Sequence, residues 1–404
     1  MEAWNVGGRG SRDSCTLSFT MASFAFLSRH KEREARKAGS FLNGYTNTAP
    51  PALRWGVMGC ANIASKNALA ILSADGNRLV AVASRSLLKA RAWASARGIA
   101  QDKAYVGYDL LLADPDVDAV YIPLPTTFHR EWVLKAAAAG KHVLCEKPVA
   151  PTAREAAECV KACADAGVVW MDGVMFMHHR RLAAMRAVLD DAGRFGAVRH
   201  VTSDFSFPGD DAFHANNIRV KADCEPLGCL GDLGWYNIRF SLWAHGWAAP
   251  ATAQCTYHRA ADGDVPVECS GVLAWADGRS ATFHCAFTQA LTQTAAVIGT
   301  KGRLSLNDFV VCKDAERVTF DVQTDAGMVD TARVCVATDR REATDGCCQE
   351  AAMFETFAGL AQGGEGGRAF WGRVSVLTQA VVDACVASAT AAGGAAVAVE
   401  VPAV

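Results

Sequence analysis

The sequence lacks the features that mark nucleic-acid-binding and membrane-spanning proteins. Its 404 residues carry 40 Lys and Arg against 42 Asp and Glu, so the net charge of -2 leaves no basic excess to attract nucleic acid or anionic lipid. No apolar run approaches the roughly 18 residues that a membrane-spanning helix needs. We therefore predict a globular protein with neither nucleic-acid nor membrane partners.

Cysteine pairs are missing as well, although the chain has 15 cysteines. No C-x-x-C pair occurs, and Cys347 and Cys348 are adjacent, which suits neither zinc ligation nor an easy disulfide. A chain of this length buries enough core to fold without disulfides. We interpret most cysteines as free thiols in a reducing compartment, predict a cytoplasmic protein and expect no metal site.

Residues 1–50 have no periodic apolar pattern and include the segment SFAFLSRHKEREARKAGSFLNG, which is rich in Arg and Lys. A secretory signal is not expected, because no apolar stretch of adequate length follows a basic start. Two interpretations stay open. One is a disordered tail. The other is a plastid or mitochondrial targeting segment, against which Glu32 and Glu34 argue.

From Leu53 the chain alternates short strands with helices. The strands LRWGVMG, RLVAVAS, VDAVYIPLP, KHVLC and VVWM are nearly continuous apolar runs, typical of strands covered on both faces. Helices between them end at glycines, and Thr152 with Glu155 forms a capping box that opens the last of them. This alternation predicts a parallel sheet with helices on both faces, a dinucleotide-binding domain over residues 51–172.

After Met171 the rhythm changes and strands come to dominate. A long strand, GAVRHVTSDFSF, lies between two helices, and SGVLAWADGRSATFHCAF is a hairpin that turns at Asp277-Gly278. Two helices, around 350–360 and 372–389, close the chain. We predict a second domain over residues 173–404, with an antiparallel sheet that has one solvated face.

The dinucleotide fingerprint lacks two of its three glycines. Where G-x-G-x-x-G is usual, the chain has GCANIA after the first strand. The following helix would still offer its first amides to a phosphate, although an ordinary strand-to-helix turn is the alternative. We predict cofactor contacts from Gly59, Cys60, Ala61, Asn62 and Ile63, with the Cys60 thiol interpreted as a small apolar filler.

No acid follows the second strand, where an enzyme that uses NAD would hold the ribose hydroxyls. The chain has Ser84-Arg85-Ser86 there, with Lys89 one turn later. A hydroxyl and a guanidinium match a 2'-phosphate. We therefore predict that Ser84, Arg85 and Lys89 bind NADP in preference to NAD.

Lys147 follows the strand KHVLC and precedes a proline. Ligands bind at the carboxyl ends of such strands, so an ammonium there would stabilise the charge that develops as a hydride moves. The alternative is a surface ion pair with Glu146. In GDLGWYNIRF, Asp232 and Tyr236 are four residues apart and share a helix face. We expect Lys147 to lower the pKa of the Tyr236 phenol, which would act as acid and base, and Asp232 to orient either a substrate hydroxyl or Lys147.

The motifs GCANIA, ASRS, YIPLP, GKHVLCEKP, MDGVMFMHH and LGDLGWYNIR, in this order, resemble the Gfo/Idh/MocA oxidoreductase family. They resemble most its branch of plant and algal oxidoreductases, dimeric dihydrodiol dehydrogenases and NADP-dependent D-xylose dehydrogenases. The resemblance runs from about Leu53 to the C-terminus. It implies an N-terminal Rossmann domain, a C-terminal α/β domain with an open, mainly antiparallel sheet, and a homodimer.

The resemblance also implies site residues. Lys147 matches the catalytic lysine of the family, and Asp232 and Tyr236 match its Asp-x-x-x-His/Tyr pair. Further residues match positions around the nicotinamide and substrate: Pro123, Leu124, Pro125, His129, Glu146, Pro148 and, for the substrate alone, His178.

We therefore predict an NADP-dependent enzyme that moves a hydride to or from a sugar, polyol or dihydrodiol. An alternative from another class is a non-catalytic, NADP-sensing regulator on the same fold. The His178-His179 pair does not suggest a metal, because neighbours on a helix point apart. For Arg219 and Arg239, substrate binding and simple pairing with acids both stay open.

Overall fold

Two sheets organise the part of the chain that the structure describes. The computed structural model describes residues 52–260, 263–313, 318–330, 333–343, 348–364, 367–391 and 394–404. The expectations for residues 1–50 and for Cys347 lie outside these ranges.

The first sheet has six parallel strands in the order β3-β2-β1-β4-β5-β6. They are β1 (Leu53–Met58), β2 (Asn77–Ser84), β3 (Ala104–Val106), β4 (Ala119–Ile122), β5 (His142–Cys145) and β6 (Trp170–Asp172). This is the order of doubly wound dinucleotide-binding folds, in which the strand order reverses between β1 and β4. The predicted Rossmann sheet is confirmed.

Five helices connect these strands: α1 (Asn62–Ser73), α2 (Leu87–Ser95), α3 (Tyr108–Leu112), α4 (Thr126–Ala138) and α5 (Ala153–Asp165). The Thr152 cap of the predicted capping box is present at α5, where the amide of Glu155 donates to the Thr152 hydroxyl at 3.3 Å, but the Glu155 carboxylate accepts from the Thr152 hydroxyl, at 3.2 Å, and not from its amide. The apolar spacing of NIASKNALAIL predicts one buried face of α1 with Ile63, Ala64, Asn67, Ala68, Ile71 and Leu72. Four of these residues are buried, whereas Ile63 is exposed and Leu72 is half-buried.

The second sheet has nine strands in the order β14-β13-β12-β11-β7-β10-β9-β8-β15. They are β7 (Val198–Pro208), β8 (Thr252–Arg259), β9 (Pro266–Ala274), β10 (Ser280–Ala286), β11 (Thr288–Gly299), β12 (Gly302–Leu306), β13 (Val318–Asp330), β14 (Arg333–Ala343) and β15 (Val397–Ala398). Neighbours run antiparallel except β7 and β10, which are parallel. The prediction of an open, mainly antiparallel sheet is confirmed.

The described residues of the second half form five further α-helices: α6 (Arg181–Leu189), α7 (Asp211–Asn216), α8 (Trp235–Ala244), α9 (Gln349–Ala361) and α10 (Arg368–Thr390). The two closing helices reach back to the first sheet. On α9, Phe354 and Phe357 lie 5.0 Å and 4.8 Å from the ring of Trp55 on β1. Residues 52–404 therefore form one compact unit.

Two whole-chain expectations can be compared with the described residues. None of the described helices combines the length and the apolar character that crossing a membrane requires. The described cysteines are free thiols, and three of them, Cys229, Cys269 and Cys285, lie buried with their sulfurs within 4.8 Å of one another. Burial raises the pKa of the Cys229 and Cys285 thiols, so they pack as neutral, apolar groups.

Candidate active site

Three strand ends of the first sheet meet at its carboxyl edge and carry the predicted cofactor residues. β1, β4 and β5 are neighbours, so Gly59, Pro123 and Glu146, which follow them directly, lie at one edge. Pro123 is buried there, whereas Leu124 and Pro125 are half-buried. Ligands of doubly wound sheets bind in the crevice outside this edge, where the strand order reverses.

The turn after β1 fits a phosphate group. Gly59 has a φ of 109°, which glycine adopts without strain. Among the described residues no side chain caps α1 at Ala61, so the amides of its first turn keep no side-chain acceptor. Such a helix N-terminus attracts anions. Cys60 is half-buried here, and Asn62 and Ile63 are exposed.

The Cys60 thiol is not activated by this position. Burial raises its pKa, and the nearby cation of Lys89 offsets that rise only in part. The thiol is therefore neutral at physiological pH, as the interpretation of Cys60 as a filler requires.

Two cations lie at the end of β2. The side chains of Arg85 and Lys89 are exposed, and within the described ranges neither forms an ion pair. The Ser84 hydroxyl accepts from the Ser86 amide at 3.3 Å, and the Ser86 hydroxyl caps α2 by accepting from the Lys89 amide at 3.3 Å. The Ser84 hydroxyl is buried and also bonds to the Cys60 thiol. The two exposed cations suit the 2'-phosphate of NADP.

Lys147 joins the two halves of the site. Its Nζ donates to Oδ1 of Asp232 at 2.7 Å and to the Asp232 carbonyl at 2.6 Å. The ammonium also lies 4.8 Å from the centroid of the Tyr236 ring. Its side chain is only 9% exposed. The alternative of a surface ion pair with Glu146 is wrong, and the structure brings Lys147, Asp232 and Tyr236 together.

A close approach of two turns produces this contact. Asp232 lies in a π-helical turn, Leu230–Gly234, that runs directly into α8. A Cβ on Gly231 would come within 2.8 Å of Cγ of Pro148, whose peptide bond with Lys147 is cis. Because glycine has no Cβ, the turn that carries Asp232 can pack directly on the turn that carries Lys147.

Arg219 forms an ion pair with Asp232, so that Lys147, Asp232 and Arg219 make a row of three alternating charges. The sequence had left open whether Arg219 pairs with an acid or binds substrate. Its Nε donates to Oδ2 of Asp232 at 2.9 Å, while Lys147 holds the other oxygen. Burial raises the pKa of Asp232, but Arg219 and Lys147 together lower it, to about 2. Asp232 is therefore a carboxylate at any ordinary pH. The Arg219 side chain is 41% exposed, so a molecule in solution can reach it.

The Tyr236 phenol is neutral, which corrects the expectation from the sequence. Burial raises its pKa well above the ordinary value, and Glu146 and Asp232 add to the rise. The cation of Arg219 offsets this rise in the pKa only in part. The hydroxyl donates a weak hydrogen bond to the sulfur of Met175 at 3.7 Å. Tyr236 is thus a proton donor in this form of the protein.

Glu146 is held in place by Tyr121 and Asn67, two residues for which the sequence predicted no role in the site. Its Oε1 accepts from the Tyr121 hydroxyl at 2.5 Å, and that hydroxyl accepts from Nδ2 of Asn67 at 2.6 Å. The Lys147 amide donates to its other oxygen at 3.3 Å. Burial raises the pKa of Glu146. One signal in the sequence indicates this network, because Asn67 is a polar residue on the otherwise apolar face of α1.

His129 does not line the cleft, which corrects a second expectation. It is 1% exposed, and its two ring nitrogens lie 2.8 Å and 2.7 Å from the carbonyls of Pro148 and Leu124. Burial lowers its pKa to about 4. His129 therefore lies between the β4 end and the Lys147-Pro148 turn, with a backbone carbonyl facing each ring nitrogen, and its neutral ring donates to one of the two.

His178 lies against the closing helices. Its ring stacks on Trp371 at 4.6 Å, and its Nδ1 lies 3.2 Å from the Thr356 hydroxyl. Burial lowers its pKa to about 3, so it is neutral. Its Nε2 is buried without a hydrogen-bond partner among the described residues, and a role in substrate contact stays a prediction.

Of the two alternatives for Arg239, the structure shows the pairing with an acid. Its guanidinium is fully buried and pairs with Asp172 at the end of β6, and its Nε donates to the Thr378 hydroxyl at 2.8 Å. The Ser375 hydroxyl donates to the same carboxylate at 2.8 Å. This network ties α8 and α10 to the first sheet and leaves Arg239 no surface for a substrate.

Comparisons with known proteins agree with this architecture. Residues 53–174 match the family model described as the Gfo/Idh/MocA oxidoreductase family, NAD-binding Rossmann fold. Residues 182–305 match the model of the Gfo/Idh/MocA C-terminal domain.

Curated relatives and solved structures point the same way. The chain is 37% identical to a D-xylose 1-dehydrogenase (NADP(+)) of Haloferax volcanii, over 63% of this chain and 76% of that protein. It is 34% identical to a dTDP-3,4-didehydro-2,6-dideoxy-alpha-D-glucose 3-reductase of Streptomyces violaceoruber, over 84% and 96%. A 3-ketoreductase from Actinomadura kijaniata, solved with NADP and TDP-benzene, has a TM-score of 0.74 at 28% identity, over 83% of this chain and 97% of that one.

Proposed function

The chain belongs to the Gfo/Idh/MocA oxidoreductase family, and on that basis we propose that it is an NADP-dependent oxidoreductase. It moves a hydride between the nicotinamide and a carbinol or carbonyl carbon of a sugar, polyol or diol. The observation that carries the proposal is the contact of Lys147 with Asp232 beside Tyr236, at the edge of the sheet where such folds hold their cofactor.

Three side chains divide the chemistry between them. When bound, the nicotinamide supplies or accepts the hydride. Tyr236, protonated because of its raised pKa, donates a proton to the carbonyl oxygen during reduction, and its phenolate form accepts the proton of the substrate hydroxyl during oxidation. Lys147 stabilises the negative charge on that oxygen from a site nearly free of water. Asp232, ionised and held by Arg219, keeps the ammonium of Lys147 in place.

The preference for NADP rests on the end of β2. Arg85 and Lys89 offer two cations where an acid would serve NAD. The relative from Haloferax volcanii is named for NADP(+), and the Actinomadura kijaniata structure contains NADP.

The substrate class is inferred from the relatives and from the hydrogen-bond donors of Lys147 and Arg219 in the site. The named relatives act on D-xylose or a dTDP-linked keto sugar, and one from Bos taurus, 32% identical over 64% of this chain, is a trans-1,2-dihydrobenzene-1,2-diol dehydrogenase. These substrates share a carbinol or carbonyl carbon that has a second oxygen-bearing carbon next to it. The exposed guanidinium of Arg219 and the ammonium of Lys147 supply donors for such oxygens.

We also propose a homodimer that pairs through the open face of the nine-stranded sheet. Val272 on β9 is 43% exposed, whereas its neighbour Leu273, which points to the other face of the sheet, is buried in the core. Light scattering at several protein concentrations tests this. A monomer at micromolar concentration would refute it.

A substrate screen tests the enzymatic proposal. NADP(+) reduction is followed by absorbance over pentoses, hexoses, anhydro sugars and dihydrodiols, and NADPH oxidation over the matching ketones and aldehydes. We expect turnover on at least one class. Tight NADPH binding with no turnover across both panels would favour the sensor instead.

A further inference from the structure

The first turn of α4 is capped by residues from a distant part of the chain. The N-cap residue of α4 is Pro125, whose side chain cannot accept a hydrogen bond from the first amides of the helix. The Glu225 carboxylate accepts from the Thr126 amide at 3.1 Å and from the Thr126 hydroxyl. The Thr127 amide and hydroxyl donate to the carbonyls of Cys224 at 3.3 Å and Asp223 at 2.8 Å. Four hydrogen bonds thus fasten residues 223–225 to the helix.

The two sides of this contact lead to the two halves of the site. α4 follows Pro123, Leu124 and Pro125 at the carboxyl edge of the first sheet. Residues 223–225 lie between Arg219 and Asp232, whose side chains pair at 2.9 Å. A displacement of this segment would therefore shift the Arg219–Asp232 pair, and Lys147 with it, relative to the strand ends.

We propose that Glu225 is a positioning residue which, through Thr126, holds the Arg219–Asp232–Lys147 chain in register with the cofactor edge of the sheet. The kinetic consequences rest on the proposed function, whereas the contact itself does not. An acid suits this place because a helix N-terminus favours negative charge. Glu225 is also close enough to Asp232 and Lys147 for both to influence its pKa, which burial raises to about 6.

Variants on both sides of the contact test the proposal. Glu225→Ala is expected to lower kcat about 10- to 100-fold, because a displacement of about 1 Å can cost that much, while the Kd for NADPH stays at the wild-type value. Glu225→Gln, which keeps an acceptor for the Thr126 amide, recovers most of the rate. Glu131→Ala, an exposed acid on the same helix, is the matched control and keeps wild-type kinetics.

A double-mutant cycle asks whether Glu225 acts through Thr126. Thr126→Val removes the hydroxyl, and Thr126→Ser restores it. We expect the double variant Thr126→Val/Glu225→Ala to be no slower than Glu225→Ala alone. Full additivity of the two effects on log kcat, or a wild-type kcat in Glu225→Ala, would overturn the proposal.

Amide hydrogen exchange makes the test independent of turnover. The Thr126 and Thr127 amides are bonded to residues 225 and 224, so both should exchange faster in Glu225→Ala than in the wild type. If the wild-type protein turned over no substrate, the proposed function would fail, while lost protection would still support the contact. Unchanged protection in Glu225→Ala would refute the contact itself.

Discussion

Lys147 and Asp232 are 85 residues apart in the chain, and their side chains meet at 2.7 Å. One follows the fifth strand of the first sheet, and the other lies in the turn that enters α8. The same ammonium donates to the Asp232 carbonyl at 2.6 Å, so backbone and side chain both fix its position. This contact joins the cofactor edge to the half of the molecule that holds Tyr236.

Replacement of Lys147 by Met should remove turnover and leave cofactor binding intact. The methylene stem still packs, but the charge that stabilises the substrate oxygen is gone, so we expect kcat to fall by about 100- to 1,000-fold. Fluorescence titration should give an unchanged Kd for NADPH.

Lys161→Met is the matched control for that variant. Lys161 is 70% exposed and pairs with Asp165 on the surface of α5, so its loss should leave both values unchanged. A Lys147→Met protein with wild-type kcat would rule out the mechanism.

Replacement of Tyr236 by Phe isolates the hydroxyl. The residue is 7% exposed, and among the described residues its hydroxyl has only the weak hydrogen bond to Met175, so the fold should tolerate the change. Loss of the proton donor should lower kcat by about 100- to 10,000-fold. Tyr257→Phe, which changes a phenol on β8 outside the site, should have no effect.

The raised pKa of Tyr236 also sets the pH dependence. Its pKa in the folded protein lies above the ordinary value of about 10, so the phenol is protonated at neutral pH. The rate of reduction, which needs the protonated form, should be flat through neutral pH. The rate of oxidation, which needs a base, should rise as the pH rises. An acid limb from Asp232 is not expected above about pH 4, because its pKa is about 2.

Arg85→Ala should change the choice of cofactor. A charge-assisted hydrogen bond contributes about 1.5 to 3 kcal/mol, so the Kd for NADPH should rise about 10- to 100-fold, while the Kd for NADH should change little. Arg91→Ala, an exposed arginine on α2, should alter neither. Equal weakening of both cofactors in Arg85→Ala would refute a contact with the 2'-phosphate.

Asp172→Ala should destabilise the protein, because it leaves the fully buried guanidinium of Arg239 unpaired. Breaking a buried pair from one side costs about 3 to 5 kcal/mol in the free energy of unfolding. Urea denaturation measures it. Asp165→Ala, which breaks an exposed pair, should cost at most about 1 kcal/mol, and an equal loss in both variants would contradict the structural role of Arg239.

Local patterns predicted the elements well, and for identifiable reasons. The apolar strands, the Thr152 cap and the Asp277-Gly278 turn depend on residues close in sequence, where spacing carries the information. The group of Lys147, Asp232 and Tyr236 could also be predicted from the sequence. Lys147 follows a strand at the cofactor edge of the sheet, and the spacing of Asp232 and Tyr236 places them on one helix face.

Contacts between distant segments were not foreseeable from the residues. Arg219 and Asp172 are ordinary polar residues until the fold supplies their partners, and only packing shows that His129 is buried between two carbonyls. The pKa of Tyr236 was predicted in the wrong direction, because burial, which the sequence does not quantify, outweighs the cation. The packing of α9 on Trp55 likewise depends on the return of the chain to the first sheet.

Transfer of label from the cofactor tests the central claim most directly. NADPH deuterated at C4 of the nicotinamide is mixed with the carbonyl substrate that the screen identifies, and the alcohol product is analysed by mass spectrometry. We predict that the wild-type protein yields deuterated product and that Lys147→Met yields about 100- to 1,000-fold less in the same time. NADPH that binds but transfers no deuterium to any carbonyl in the panel would contradict the account.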